Sequence, residues 1–172
     1  DPDAAAVSEQ ELPVRRIIIL DPGHGGEDSG AVSLDGSIQE SRLNLEITKR
    51  VRDSLILFGQ IPLLTREEDV SLDNGEETVR QRKQSDLKNR VQFVNEHPES
   101  ILISIHQNSL PSSPATHGAQ VFFNRQETAN SLAQSLQTAF NVCINREKSK
   151  HTKQIDDTIY LLKNITVQGV IV

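Results

Sequence analysis

Apolar positions along the chain fall into short unbroken runs separated by stretches with helical spacing. Ile17, Ile18, Ile19 and Leu20 form one such run, which predicts a buried strand over 16–20. It ends abruptly in Asp21-Pro22-Gly23-His24-Gly25-Gly26. Leu43, Ile47, Val51, Leu55 and Phe58 then recur at steps of three or four, which places them on one helix face. Ser37, with Glu40 three residues on, has the spacing of a capping box, and Gly59 fits a C-terminal stop. A short apolar run over 61–66 predicts a second strand, and the acidic stretch 67–80, with a turn at Asn74-Gly75, a surface loop. From Thr78 to Asn95 a second helix is predicted, with Leu87, Val91 and Val94 on one face and His97-Pro98 as its stop. Strands follow at 101–105 and around 119–123. Ala129, Leu132, Ala133, Leu136, Ala139 and Phe140 then fit an amphipathic helix. Residues 156–164 read as a short strand or a turn of helix, and 169–172 as the beginning of a strand.

Strands that alternate with helices predict an α/β fold: a single domain with a mixed, mostly parallel sheet flanked by helices. The segment 1–15 is polar, with Pro and Ala, and reads as a flexible leader to a folded domain over 16–172. The length suits one domain with its own core. With five Phe, one Tyr and no Trp, that core must be aliphatic. Scarce aromatics argue against base stacking, and a net charge of −6 argues against a polyphosphate binder, so no nucleic-acid partner is expected. One cysteine, Cys143, excludes an internal disulfide framework and a cysteine-based zinc site. No stretch approaches the ~20 apolar residues of a membrane span. The leader resembles a linker downstream of a removed signal or anchor, so an exported protein is expected.

In open α/β sheets ligands bind at the carboxyl ends of strands. Two predicted strands end in a histidine: His24 after 16–20 and His106 after 101–105. Around His24, Pro22 would stiffen the strand exit and the glycines would let the chain turn tightly. Glu40 opens the following helix, 16 residues after His24, and a helix that follows a strand starts at the edge where the strand ended. Two histidines and one glutamate make a three-ligand set with an open fourth position, a combination that suits zinc. Blander roles compete. A lone histidine after a strand is commonly a hydrogen-bonded turn residue, and Glu40 has the spacing of a helix cap. His97 reads as structural, His117 as a loop residue, His151 and the run 146–153 as solvated, and Cys143 as packing.

The segments "IIILDPGHGGEDSGAV", "QESRLNLEI", "PLLTRE", "DLKNRVQFVN", "ISIHQNS", "HGAQVFF" and "TIYLLKN" occur in order over nearly all of 16–172. Together they resemble the zinc-dependent N-acetylmuramoyl-L-alanine amidases, bacterial cell-wall hydrolases. The resemblance implies that His24, Glu40 and His106 are zinc ligands, and that the substrate is a peptidoglycan muropeptide cut between N-acetylmuramic acid and L-alanine. It implies a substrate- or loop-orienting role for Asn108. Arg66 and Arg90 match family positions, where salt bridging is expected. "TVRQRKQSDLKNRV" and "SLPSSPATHGAQ" resemble the germination-specific amidases, which act on spore cortex. The latter connection is too short for the inserted regulatory helix of divisome-controlled relatives, so control is expected from a regulatory protein partner or from expression. The family's catalytic glutamate is expected just after Val172, so no general base is assignable within 1–172, and neither Glu27 nor Asp28 is promoted to that role. The helix that follows in the family is expected to be missing as well, which would expose apolar surface for self-association. A zinc and peptidoglycan-binding module with impaired catalysis is the alternative reading.

Overall fold

The computed structural model describes residues 16–109, 112–113 and 115–172; the leader expected over 1–15 lies outside the described residues. The chain runs β1 (Ile17–Pro22), α1 (Glu40–Leu57), β2 (Leu63–Leu64), α2 (Val79–Asn95), β3 (Ser100–Ile105), β4 (Phe122–Phe123), α3 (Ala129–Cys143), β5 (Lys153–Gln154), α4 (Tyr160–Asn164) and β6 (Gln168–Ile171). These strands form one sheet in the order β2-β1-β3-β6-β4-β5. β1 is parallel to β2 and to β3, and β3 is parallel to β6. β4 is antiparallel to β6 and parallel to β5, so the sheet is mixed and mostly parallel, as the pattern predicts.

Consecutive strand residues face opposite sides of the sheet. Ile19, Leu102 and Ile171 join Val94 of α2 and Leu161 and Leu162 of α4 in one buried cluster. Val170 and Val121 join Ala133 of α3 in a second. The core is aliphatic. β1 and β3 pair in full register from Ile17↔Ser100 to Pro22↔Ile105, so the chain leaves both strands at the same edge.

Helix faces depart from the apolar pattern where polar groups are buried. In α1 the buried residues are Glu40, Ser41, Asn44, Leu45 and Thr48, whereas Leu43 and Phe58 of the predicted face are exposed. The first turns of α1 lie beneath the β1 loop, and their polar groups are used there: Asn44 donates to the Gly23 carbonyl and Arg66 to the Ser41 carbonyl. The predicted Ser37–Glu40 capping box is absent. Ser37 bonds to Asp35, while the Glu40 and Ser41 amides donate to the carbonyls of Ala31 and Ser29. The incoming loop therefore satisfies the helix start, and the Glu40 side chain is free for another role. At the other end Gly59 (φ 74°) donates to Ile56 and Gln60 to Leu55, the paired bonds of a Schellman stop.

In α2 the Thr78–Gln81 pair forms a capping box at the predicted start. Arg90, not Leu87, shares its buried face with Val94, because Arg90 finds acidic partners inside. In α3 Gln137 is buried and Ala139 exposed. Cys143 is exposed rather than packed. β4 covers only the end of the predicted 119–123, since the amides of Ala119 and Val121 donate to the side chains of Asn145 and Gln137. Exposed, polar β5 gives no apolar signal and is not predicted. The ambiguous 156–164 segment resolves as α4.

Candidate metal centre

Two buried arginines hold the loop that leaves β1. Arg90 donates to the carboxylate of Asp21 and to the carbonyls of Pro22 (3.0 Å) and His24 (2.8 Å). Arg66 donates to Pro22 (3.0 Å), Gly23 (3.1 Å) and Ser41 (2.8 Å) carbonyls. Arg90 thus forms the expected salt bridges, to Asp21 and Asp86, and Arg66 pairs with Asp69 at 3.9 Å while serving mainly as a clamp on backbone oxygens. Burial opposes the Asp21 carboxylate, but Arg90 and the hydroxyls of Ser104 and Thr65 outweigh it and hold its pKa below the ordinary value.

This clamp sustains an unusual backbone. His24 itself has φ 62°, a left-handed conformation that costs a residue with a Cβ on the order of 1 kcal/mol. Gly25 and Asp28 then exchange backbone hydrogen bonds of 2.9 and 3.1 Å across a tight turn. Two glycines keep space for side chains, and Gly30 (φ 64°) also takes a left-handed backbone. A Cβ on Gly23 would lie 2.2 Å from the His106 ring. One on Gly30 would lie 2.6 Å from His24 Cδ2 and 2.8 Å from Glu40 Oε2.

Into that space come His24, Glu40 and His106, from the ends of β1 and β3 and the start of α1. One ligand atom from each lies within 4.8 Å of the others. His24 Nε2 is 3.4 Å and His106 Nδ1 is 3.2 Å from Glu40 Oε1. Glu40 is buried, and its carboxylate also accepts from the amides of Ala31 and Gln107, each at 2.9 Å. Burial disfavours its charge, but both histidines and these amides keep its pKa well below the carboxylate range. His24 Nδ1 donates to Asp28 Oδ2 at 2.9 Å, so in the neutral ring Nε2 carries the lone pair and faces Glu40. The bonds to Asp28 and Glu40 raise the His24 pKa to about 9. In turn His24 and then Lys83, 2.8 Å away, hold the Asp28 pKa far below its ordinary value.

Two imidazole nitrogens and one carboxylate oxygen, converging from three segments with room kept by Gly23 and Gly30, fit a divalent metal of zinc's ligand preference. A cavity of about 340 Å³ opens on the cluster, with Asn108, Lys83, Thr158 and Tyr160 among its walls. Asn108 is exposed at this cavity, within reach of a bound molecule. The remaining histidines stand elsewhere: His97 bonds to the Phe93 carbonyl at 2.8 Å, His117 to that of Ala115, and His151 is exposed. Asp28 is the functional neighbour that sequence reading passes over. Its only signal is a carboxylate four residues beyond a loop histidine, which means something only once the Gly25–Asp28 turn is known.

The N-acetylmuramoyl-L-alanine amidase family profile matches residues 18–172. The chain belongs to this family. It is 34% identical over 158 residues to the germination-specific N-acetylmuramoyl-L-alanine amidase of Bacillus subtilis, covering 91% of this chain and 65% of that protein. It is 30% identical over 152 residues to the N-acetylmuramoyl-L-alanine amidase AmiA of Escherichia coli, covering 88% and 46%. The chain thus spans less than two thirds of the length of these relatives. Among solved structures, the CwlD amidase of Clostridioides difficile in complex with the GerS lipoprotein superposes with a TM-score of 0.85 at 34% identity, over 91% of this chain and 80% of that one.

Proposed function

We propose that the protein is a zinc-dependent amidase that hydrolyses the bond between N-acetylmuramic acid and L-alanine in peptidoglycan. The observation that carries this is the meeting of His24, Glu40 and His106 within 4.8 Å at the carboxyl edge of the sheet, in a chain of amidase ancestry. Bound by these three residues, zinc would supply a Lewis acid for the scissile carbonyl and lower the pKa of a water to ~7.

The chain's own residues do the rest. Asp28 fixes the His24 tautomer, and the amides of Ala31 and Gln107 fix the Glu40 carboxylate. The cavity receives the amide, and Asn108 at its wall orients it. The His106 amide donates to the Val172 carbonyl at 3.0 Å. A glutamate directly after Val172, expected from the family resemblance, would therefore leave β6 beside His106 and act there as general base.

A relative at 34% identity supports a germination role within the family: the germination-specific enzyme of Bacillus subtilis. The amidase relatives support an exported protein acting on peptidoglycan of wall or cortex; among the described residues no helix is long and apolar enough to cross a membrane. The lipoprotein complex of CwlD supports a protein partner for this chain.

The test is incubation of the chain, and of the chain continued beyond Val172, with muropeptides and zinc, with mass spectrometry for free peptide stems. Release by the extended chain that is lost in His24→Ala, Glu40→Ala and His106→Ala, together with loss of zinc after dialysis, is expected. No release with zinc bound would reduce the protein to a zinc and peptidoglycan-binding module.

A further inference from the structure

A second and larger cavity, about 540 Å³, opens at the same edge of the sheet as the metal centre. β4 is antiparallel to β6, so the segment entering β4 lies where β6 ends. β5 is parallel to β4, so the segment entering β5 lies there too. Between these two segments, Thr116 and His117 face Arg146, Glu147, Lys148 and Lys150.

The cavity is a built feature. Gln137, Asn141 and Asn145 recur every four residues along α3 and its C-terminal end, so they form one stripe of amides. Gln137 accepts from the Val121 amide at 2.9 Å and donates to the Ala119 carbonyl. Asn145 accepts from the Ala119 amide at 2.9 Å and donates to its carbonyl at 2.7 Å. Asn141 exchanges bonds of 2.9 and 3.0 Å with the backbone of Lys150. The stripe therefore pins both walls. Gly118 lies so near Asn145 that a Cβ there would sit 2.3 Å from Oδ1.

What the walls present is positive charge in a chain of net charge −6. Lys150 donates to the Gly118 carbonyl at 3.0 Å. Arg146 and Lys148 are exposed and take part in none of the ion pairs formed among the described residues. Glu147 is the one acid of the lining.

We propose that this cavity is a subsite for a free carboxylate of the peptide stem, with Arg146 and Lys148 as its cations. The proposal rests on the amidase reading of the metal centre. Strands in a sheet lie about 4.8 Å apart, so β4 and β5 are roughly 10–15 Å from β3 and His106. An extended peptide advances ~3.3–3.6 Å per residue. A stem whose first residue lies at the metal would bring the carboxylates of its third or fourth residue to this cavity.

The probe is an acidic tetrapeptide stem beginning with L-alanine, compared with the same peptide carrying carboxamides. Neither contains the muramic acid amide, so binding is read without turnover, by calorimetry on the zinc-loaded protein. The free carboxylate form should bind about tenfold tighter, the sum expected of two partly solvated ion pairs, and the preference should shrink as salt is raised. The double variant R146Q/K148Q should lose the preference and bind the carboxamide form as before. Lys148→Glu should invert it. Equal binding of both forms by the wild type, no binding of either, or a preference that survives in the double variant would overturn the subsite. Muropeptide hydrolysis is assayed separately: hydrolysis without carboxylate preference removes only the subsite, and preference without hydrolysis removes only the amidase reading.

Discussion

His24 donates through Nδ1 to Asp28 at 2.9 Å, and this one bond decides which ring nitrogen faces Glu40. A carboxylate that fixes the tautomer of a metal-binding histidine also raises its basicity as a ligand. Asp28→Ala should therefore weaken zinc binding by about 10–100-fold, measured by competition with a chelator, while far-ultraviolet circular dichroism stays unchanged. Lys83→Ala, which removes only the cation beyond Asp28, should change affinity far less. An Asp28→Ala protein with wild-type affinity would remove Asp28 from the centre.

In the metal-free protein His24 titrates at about 9, so at neutral pH a metal must displace its proton. Zinc affinity should rise with pH up to about 9 and flatten beyond it. Calorimetry in buffers of different ionisation enthalpy should read about one proton released per zinc at pH 7. The stability consequence has the opposite sign. A raised histidine pKa stabilises the metal-free fold fully below the unfolded value of 6.5, and that contribution is lost as pH rises through about 9. Melting temperatures of the metal-free protein should fall across that window, and those of His24→Ala should not.

Gly23 and Gly30 are occupied by their neighbours' side chains. In Gly23→Ala the new methyl falls on the His106 ring, and in Gly30→Ala on His24 and Glu40. Both variants should fold and retain little zinc after dialysis. Gly36→Ala, with nothing within 4 Å of the new atom, should keep it.

Arg90 is fully enclosed with Asp21 and also holds two loop carbonyls. Breaking such a pair leaves a buried charge without its partner, at a cost of about 3–5 kcal/mol. Arg90→Ala should lower the urea midpoint by the equivalent amount. It should also loosen zinc, because the Pro22 and His24 carbonyls lose their donor. A stability loss with zinc affinity intact would confine Arg90 to the core.

Much of this protein could be read along the chain. Short apolar runs announced β1 and β3, because a parallel strand covered on both faces is apolar throughout. The start of α2 at Thr78 was legible, although the capping box with Gln81 that fixes it was seen only in the structure. His24 and His106 were conspicuous because each ends such a run. What local pattern could not decide was the use of polar groups that meet from afar. Glu40 had the spacing of a cap, and only the approach of Ala31 and Ser29 to the helix start frees it for the histidines. Arg90 interrupts the apolar face of α2, and Asp21, 69 residues away, with the Pro22 and His24 carbonyls, joins the nearby Asp86 in making its burial tolerable. Gly23 looked like a hinge and is a vacancy for a ring carried by another strand. Hydrophobic periodicity is local and is written in sequence; partners for buried charge and room for a ligand's ring come from segments far apart in the chain, and only the folded structure brings them together.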